Sequence, residues 1–332
     1  MELINALESI RAGIASKELI EQSTSFLFSD NKIFTYNDEI CAITKTELDI
    51  EGAVEAATFL KIFSKIKDDE VSIGIKDNEI RIKGKKFQTG INFDEEIKLP
   101  IDNAPITEDF IEVPENFTRL AKLACLTASK SVDEPLITFV HITNEFIESC
   151  DNERITICTL DLEEEVDVLV SAKSLMQILM NNTITGINVD DTWIHFITNE
   201  EVILSCRLQE EEYVDLHEHI PEEEGKVIEL PSQIKEILDR AEIFSKEEST
   251  TGKFVTIELA DKKLKVSSQN NRGWFKEKTK TKYTGPNISF SINADFLKDI
   301  LSISNTISVV DTCLLFRDEY SVHLVQLETE NE

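Results

Sequence analysis

The chain has 332 residues, enough for about two or three domains that each bury a core without staples. Asp and Glu number 64 against 34 Lys and Arg, a formal charge of −30. That repels a phosphate backbone at long range and excludes a plain basic-patch nucleic-acid binder, unless positive charge is gathered locally.

An apolar fraction of 41% excludes a disordered acidic chain, and ten glycines are too few for most glycine-loop nucleotide machinery. No run of 18 apolar residues occurs, so no membrane partner is expected, and Met1 to Asn5 carries no basic signal-peptide start. Cys41, Cys125, Cys150, Cys158, Cys206 and Cys313 form no CxxC pair, and several sit in apolar periodic segments. They read as buried free thiols of a reducing cytoplasm.

In chain order, the first predicted helix covers Ile4–Ala15 on the spacing of Leu7, Ile10 and Ile14. A second covers Ala57–Phe63, with Leu60 and Phe63 at i, i+3. Alternating strands follow at Val71–Ile75 and Ile80–Ile82. A Pro-containing joint runs from Leu99 to Pro105. The next helix covers Asn116–Ser131, on Phe117, Leu120, Ala121, Ala124 and Ala128. Another spans Ala172–Leu179, with Leu175 and Ile178. Strands are then predicted at Ile187–Val189, Trp193–Ile197 and Val202–Cys206. An acidic joint, Glu210 to Glu224, reads as a solvated linker.

The last stretch repeats the order. A helix over Ser232–Lys246 carries Ile234, Ile237, Leu238, Ala241 and Phe244, and Ser232 is positioned as its N-cap. Strands Val255–Leu259, Lys263–Ser267 and Lys276–Tyr283 lead to a helix at Ala294–Leu301, with Leu297 and Ile300. Strands at Ile307–Val309, Leu314–Phe316 and Val322–Leu327 close it.

Helix, strands, helix, strands thus recurs three times, over 1–107, 108–221 and 222–332. A helix face covering a sheet face makes each unit α+β.

The middle unit holds 24 acidic residues and six basic ones: Arg119, Lys122, Lys130, Arg154, Lys173 and Arg207. Four of the six fall on its two predicted helices, which hold no acid from Asn116 to Ser131 or from Ser171 to Asn182. Arg119, Lys122 and Lys130 share a stripe with Leu126. In the first unit Lys61 and Lys65 share a face, with no acid from Ala56 to Lys67. In the third, Lys235, Arg240, Lys246 and Lys298 interleave with Glu236, Asp239, Glu242 and Asp299. A basic inner and acidic outer surface would hold phosphates without reading sequence.

No metal or cofactor is expected. His217-Glu218-His219 lacks a third ligand, and Asp190-Asp191 and Asp94-Glu95-Glu96 read as solvated turns. GxxxxGK[ST], HExxH and GxSxG motifs are absent, so the chain is read as not an enzyme. Lys276, Lys278, Lys280 and Lys282 fall on one strand face, which keeps an exposed strand soluble and blunts its edge.

The third unit carries the clearest family resemblance, in Ile237-Leu238-Asp239-Arg240-Ala241-Glu242-Ile243-Phe244-Ser245, Tyr283-Thr284-Gly285, Phe290-Ser291-Ile292 and Phe296-Leu297. In the middle unit, Ser149-Cys150-Asp151-Asn152-Glu153-Arg154-Ile155 is similar to an Ala-Thr-Asp-Gly-His-Arg-Leu segment. Arg207-Leu208, Tyr213 and Ile220-Pro221 are similar to an interdomain linker. Over essentially its whole length the chain resembles the bacterial-type β sliding clamp, the processivity factor of replicative DNA polymerases.

The resemblance implies three tandem clamp domains, each with two helices packed on antiparallel sheet, closing as a head-to-tail homodimer ring around duplex DNA. Lys61, Lys65, Arg119, Lys122, Lys130, Lys173, Lys235, Arg240 and Lys298 would contact DNA without sequence preference. It also implies a pocket between the second and third units for a short hydrophobic peptide of the polymerase or clamp loader. That pocket would use Cys150, Asn152, Arg154 and Ile155, flanked by Ile142, Pro221 and Ile228, with Leu324, Gln326 and Leu327 from the C-terminal strand.

The chain departs from the family pattern where Cys150, Asn152 and Glu153 replace Thr, Gly and His. Its end reads Val325-Gln326-Leu327 in place of Met-Pro-Met and runs on into the acidic Glu328 to Glu332. This fits a divergent, phage-encoded clamp that recruits its own polymerase. Two rival readings are an acidic DNA mimic that inhibits a DNA-binding enzyme, and an enzyme built on an unrecognised carboxylate site.

Overall fold

The structure is a computed structural model that describes residues 2–66, 71–100, 109–131, 133–223, 225–245 and 253–328. The expected boundary at 107/108, with the joint from 101 to 108, lies outside these residues. So do Lys67, Lys246, Glu224 and the tail past Glu328.

One order of elements occurs three times. The first copy is α1 (Glu2–Ser9), β1 (Ser25–Ser29), β2 (Lys32–Tyr36), β3 (Ile40–Lys45), β4 (Gly52–Glu55), α2 (Ala56–Phe63), β5 (Ser72–Lys76), β6 (Glu79–Lys83) and β7 (Gln88–Asp94). The short β8 (Ile111–Glu112) leads into the second: α3 (Phe117–Thr127), β9 (Phe139–Thr143), β10 (Phe146–Cys150), β11 (Arg154–Thr159), β12 (Asp167–Ser171), α4 (Ala172–Asn181), β13 (Ile184–Val189), β14 (Trp193–Thr198) and β15 (Ile203–Gln209). After β16 (Lys226–Glu229) the third runs α5 (Ile234–Ala241), β17 (Phe254–Ala260), β18 (Lys263–Asn270), β19 (Gly273–Lys280), β20 (Ile288–Asn293), α6 (Ala294–Leu301), β21 (Thr306–Val310), β22 (Cys313–Arg317) and β23 (Ser321–Gln326).

The second helix of each copy starts the same way. A side-chain oxygen just before it accepts backbone N–H bonds: Glu55 from Ala57 and Thr58, Ser171 from Ser174, Asn293 from Asp295. Such caps satisfy N–H groups that have no partner within the helix. A buried alanine follows each cap: Ala56, Ala172 and Ala294. The next core residue is fully buried in every copy: Phe59, Leu175 and Leu297. The sequence spacing pairs Leu60 with Leu175, one residue out of step. Phe59 takes the core position because its ring packs at 6.2 Å from Phe26 and 6.1 Å from Phe28.

Three helices end earlier than the periodicity predicts: α3 stops at Thr127, and at α1 and α5 a strand hydroxyl takes a carbonyl at the helix end. Thr35 donates to the Ile10 carbonyl at 2.6 Å, and α1 gives way to a 3-10 turn at Arg11–Gly13. A Cβ on Gly13 would lie 2.3 Å from the Thr35 Oγ1, so only glycine fits there. Likewise Ser268 donates to the Ala241 carbonyl at 2.6 Å, where α5 passes into the turn Glu242–Phe244. Ser232 is not the N-cap of α5. Gln233 holds that position without a side-chain cap, and the Ile234 N–H donates to the Pro231 carbonyl at 2.9 Å. The helix is held instead by burial of Ile234, Ile237, Leu238 and Ala241, and each buried Leu or Ile contributes about 1.5–3 kcal/mol.

The chain packs as two compact units. One contains Met1–Cys125, Thr138–Ile147 and Leu160–Tyr213; the other contains Leu126–Ile137, Glu148–Thr159 and Val214–Glu332. The strand pairs named below are all antiparallel. In the first unit they run β5-β6-β7-β4-β1-β2-β3-β15-β14-β13-β8, and β9 and β12 join at the end of β15. In the second unit one sheet runs β11-β23-β22-β21-β16 and another β19-β18-β17-β20. A bridge from Ser291 to Glu328 links these two.

One joint therefore occurs twice. The third strand of a copy pairs with the last strand of the next: β3 with β15, and β11 with β23.

Candidate functional site

At the β11·β23 joint Ile155 pairs with Leu324 and Arg154 with Val325, while on the next strand Cys313 pairs with Gln326. Alternation puts Ile155, Leu324, Gln326 and Cys313 along one sheet face. They floor a groove of about 490 Å³ within the second unit.

Seven of the ten expected pocket residues line it: Cys150, Asn152, Arg154, Ile155, Pro221, Leu324 and Gln326. Three do not. Ile142 is fully buried opposite Val168 in the first unit. Ile228 and Leu327 are buried in the core beneath α5 and α6. Their apolar side chains are spent on packing and none reaches the groove.

The sequence reading missed one wall, made by Val214, Leu216 and His219, and the Thr312–Cys313 end of the floor. The stretch expected to be a solvated linker anchors itself by Leu216, which is only 2% exposed, and turns at His217–His219. His217 Nε2 lies 3.3 Å from the Glu148 carboxylate. The signal was present as Val214 and Leu216, two apolar residues in alternation amid acids.

Arg154 organises the turn between β10 and β11. Its guanidinium is 2.9 Å from Asp151 Oδ2 and 2.9 Å from Asp299 Oδ2, and it stacks 3.9 Å over the Phe296 ring of α6. Its side chain is only 7% exposed, so its charge is spent internally. Burial pushes the Asp299 carboxyl above its ordinary range, against the pull of Arg154. Asn152 donates to the Glu134 carboxylate at 2.6 Å. Glu153 is half-buried, and burial, then Asp151, raises its carboxyl, with Glu328 adding to the effect and Arg154 opposing it.

At the equivalent joint of the first unit, Arg207 stands where Gln326 stands. It lies 4.6 Å over the Trp193 ring and donates to Asp38 Oδ1 at 2.7 Å. The hollow there, about 600 Å³, carries Lys17, Lys173 and Arg207.

Lys61, Lys65, Arg119, Lys130, Lys173 and Lys235 are exposed, and Lys122 is half-buried. Arg240 and Lys298 are engaged. Arg240 makes a bidentate pair with Glu277 at 2.9–3.1 Å. Lys298 lies 2.6 Å from Glu242, 2.9 Å from Asp295 and 3.5 Å from Asp239; burial lowers its pKa, and the hydrogen bonds to Glu242 and Asp295 more than reverse that.

His195 bridges Asp190 Oδ2 at 3.1 Å and Ser205 Oγ at 2.8 Å, the atom order of a nucleophilic triad. Ser205 and His195 are each 1% exposed and Ser205 faces Cys41 of β3, so no substrate reaches the hydroxyl. Asp190 is the cap of its turn, accepting from the Thr192 and Trp193 N–H groups at 2.7 Å. Among the described residues no three His, Cys, Asp or Glu side chains group as metal ligands, and no helix is long and apolar enough to cross a membrane.

Residues 217–330 match the family described as DNA polymerase III beta subunit, C-terminal domain. No curated protein matches the chain. Among solved structures, the DNA polymerase sliding clamp of Bacillus subtilis superposes with a TM-score of 0.79 at 18% identity, covering 99% of this chain and 97% of that one. The DNA polymerase III beta subunit of Thermotoga maritima gives 0.78 at 17%, covering 99% and 98%. The beta chain of Streptococcus pneumoniae gives 0.77 at 20%, covering 99% and 97%. The chain has the fold of the bacterial DNA polymerase sliding clamps, three tandem α+β copies in one polypeptide, and its last third matches their C-terminal domain in sequence.

Proposed function

We propose that the chain is a non-enzymatic DNA sliding clamp. Two copies close head to tail around duplex DNA, and the groove beside β23 tethers a replicative polymerase or clamp loader through a short peptide. The three domains divide at 107/108 and 221/222, and the protein works in the cytoplasm.

The repeated strand joint carries the reading. β3·β15 and β11·β23 are two instances of one rule, third strand against the next copy's last strand. The rule leaves two strands over, β19 of the third copy and β7 of the first. Among the described residues β19 pairs with β18 only, and β7 pairs with β6 and, at Phe93 and Asp94, with β4. A second copy supplies each with its partner, and a heterologous contact that closes makes a ring.

The internal repeat also sets the register. Thr35 and Ser268 are equivalent positions, opposite Ala42 and Phe275. Cys41 therefore corresponds to Trp274. Cys41 pairs with Ser205, and Ser205 corresponds to Gly90, because Leu208 opposite Val170 matches Phe93 opposite Val54. Trp274, 68% exposed, would then lie across Gly90 of the second copy.

Trp274→Cys with Gly90→Cys tests this. Antiparallel neighbours sit about 4.5–5.5 Å apart at Cα, within disulfide range. The double variant should oxidise to a covalent dimer while either single variant stays uncrosslinked. Failure of the pair to cross-link would overturn the register.

DNA contact is supported by α3 and α4, which carry Arg119, Lys122 and Lys173 and no acid in a repeat with 24 acids. Phosphate contacts of this kind hold without reading sequence, as sliding requires. The acidic-mimic alternative has no support in the fold.

A further inference from the structure

The groove is apolar on its floor and acidic at one end. Ile155, Leu324 and Cys313 supply the floor. Asp151 and Glu153 line the end near the β10–β11 turn, and Glu328 acts on Glu153 from the strand's end. Among the described lining residues the one Lys or Arg is Arg154, which is held by Asp151 and Asp299 and stacked on Phe296. Arg317, which is not among the lining residues, donates to the carbonyl of the lining residue Pro221 at 2.6 Å. Among the described residues no donor reaches the Glu153 carboxylate, which is half-buried beside two like charges. Burial and like charge both disfavour that carboxylate, and Arg154, held by its own partners, offsets them only in part.

We infer that the groove selects a partner segment whose apolar side chains are flanked by a lysine or arginine, which pairs with Glu153. This rests on the reading of the groove as a peptide site and adds the charge of its ligand. An acidic flank meets Asp151, Glu153 and Glu328 together and is rejected, because like charges brought together at an interface are costly.

The test uses the full chain and three fluorescein-labelled pools of six-residue peptides. Each pool has two leucines fixed and one flanking position set as lysine, norleucine or glutamate. Anisotropy titrations should rank lysine above norleucine by about three- to ten-fold and norleucine above glutamate, with the gap narrowing in high salt. Glu153→Gln should remove the preference for lysine over norleucine, while glutamate stays weakest because Asp151 and Glu328 remain. Leu324→Asp should abolish binding of all three pools. Equal binding of the pools, or a lysine preference that survives Glu153→Gln, overturns the charge selection while the groove reading stands. Binding by no pool, or binding untouched by Leu324→Asp, overturns the groove reading and the selection together.

Discussion

Arg154 Nη1 lies 2.9 Å from Asp299 Oδ2, tying the turn that ends β10 to helix α6. The same guanidinium holds Asp151 at 2.9 Å and is nearly sealed from water. Breaking a buried pair from one side strands the remaining charge, at a cost of about 3–5 kcal/mol. Arg154→Ala should therefore lower the denaturation midpoint of the second unit, with a loss near the bottom of that range because Asp299 is partly exposed. Arg154→Lys should recover only part, since an ammonium cannot span two carboxylates as a planar fork does. Urea unfolding of the three proteins checks both. An unchanged midpoint in Arg154→Ala would show that the pair does not hold the turn.

The basic helices make a claim about salt. Each phosphate contact contributes about 0.9 to the slope of log affinity against log salt for duplex DNA. Replacing Arg119, Lys122 and Lys173 together by Gln should flatten that slope by up to about three such steps, with the circular dichroism spectrum unchanged. A slope identical to that of the parent would remove α3 and α4 from the DNA contact.

His323 makes a claim about pH. Burial, with Arg154 adding to it, pushes its imidazole down to about 3. Nδ1 is 2.6 Å from Thr156 Oγ1, and Nε2 has no hydrogen-bond partner among the described residues. The ring is neutral when folded and takes a proton near its ordinary value, about 6.5, when unfolded. Between those values the unfolded state binds more protons, so stability falls as pH drops from about 6.5 towards 3 and levels off below. Urea midpoints at pH 7, 5 and 4 should decline for the parent and decline less for His323→Leu. His195 keeps part of the slope in that variant, because its burial lowers its pKa as well. Equal slopes in the two proteins would remove His323 as a source.

Much of the fold could be read from the sequence, because three copies repeat the same spacing. The residues of α6, Ala294–Leu301, follow directly from periodicity. Helix ends could not be read, since Thr35 and Ser268 stop α1 and α5 from strands far along the chain. Strand β1 also escaped, because Phe26, Leu27 and Phe28 are all buried and so show no alternation. At the groove, the β10–β11 turn and the C-terminal strand carried a recognisable pattern. Ile142, Ile228 and Leu327 were misplaced because an apolar residue on a strand reads the same whether it faces a core or a cleft. The wall at Val214 and Leu216 was hidden by the acids around it.

The topological claim is tested most directly by retention on DNA. The protein is assembled on nicked circular duplex, freed of unbound chain by gel filtration in high salt, and the DNA is then cut once. The clamp reading requires the protein to stay on the circle and to leave within minutes of linearisation. Equal retention on circle and line, or equal loss from both, would contradict it.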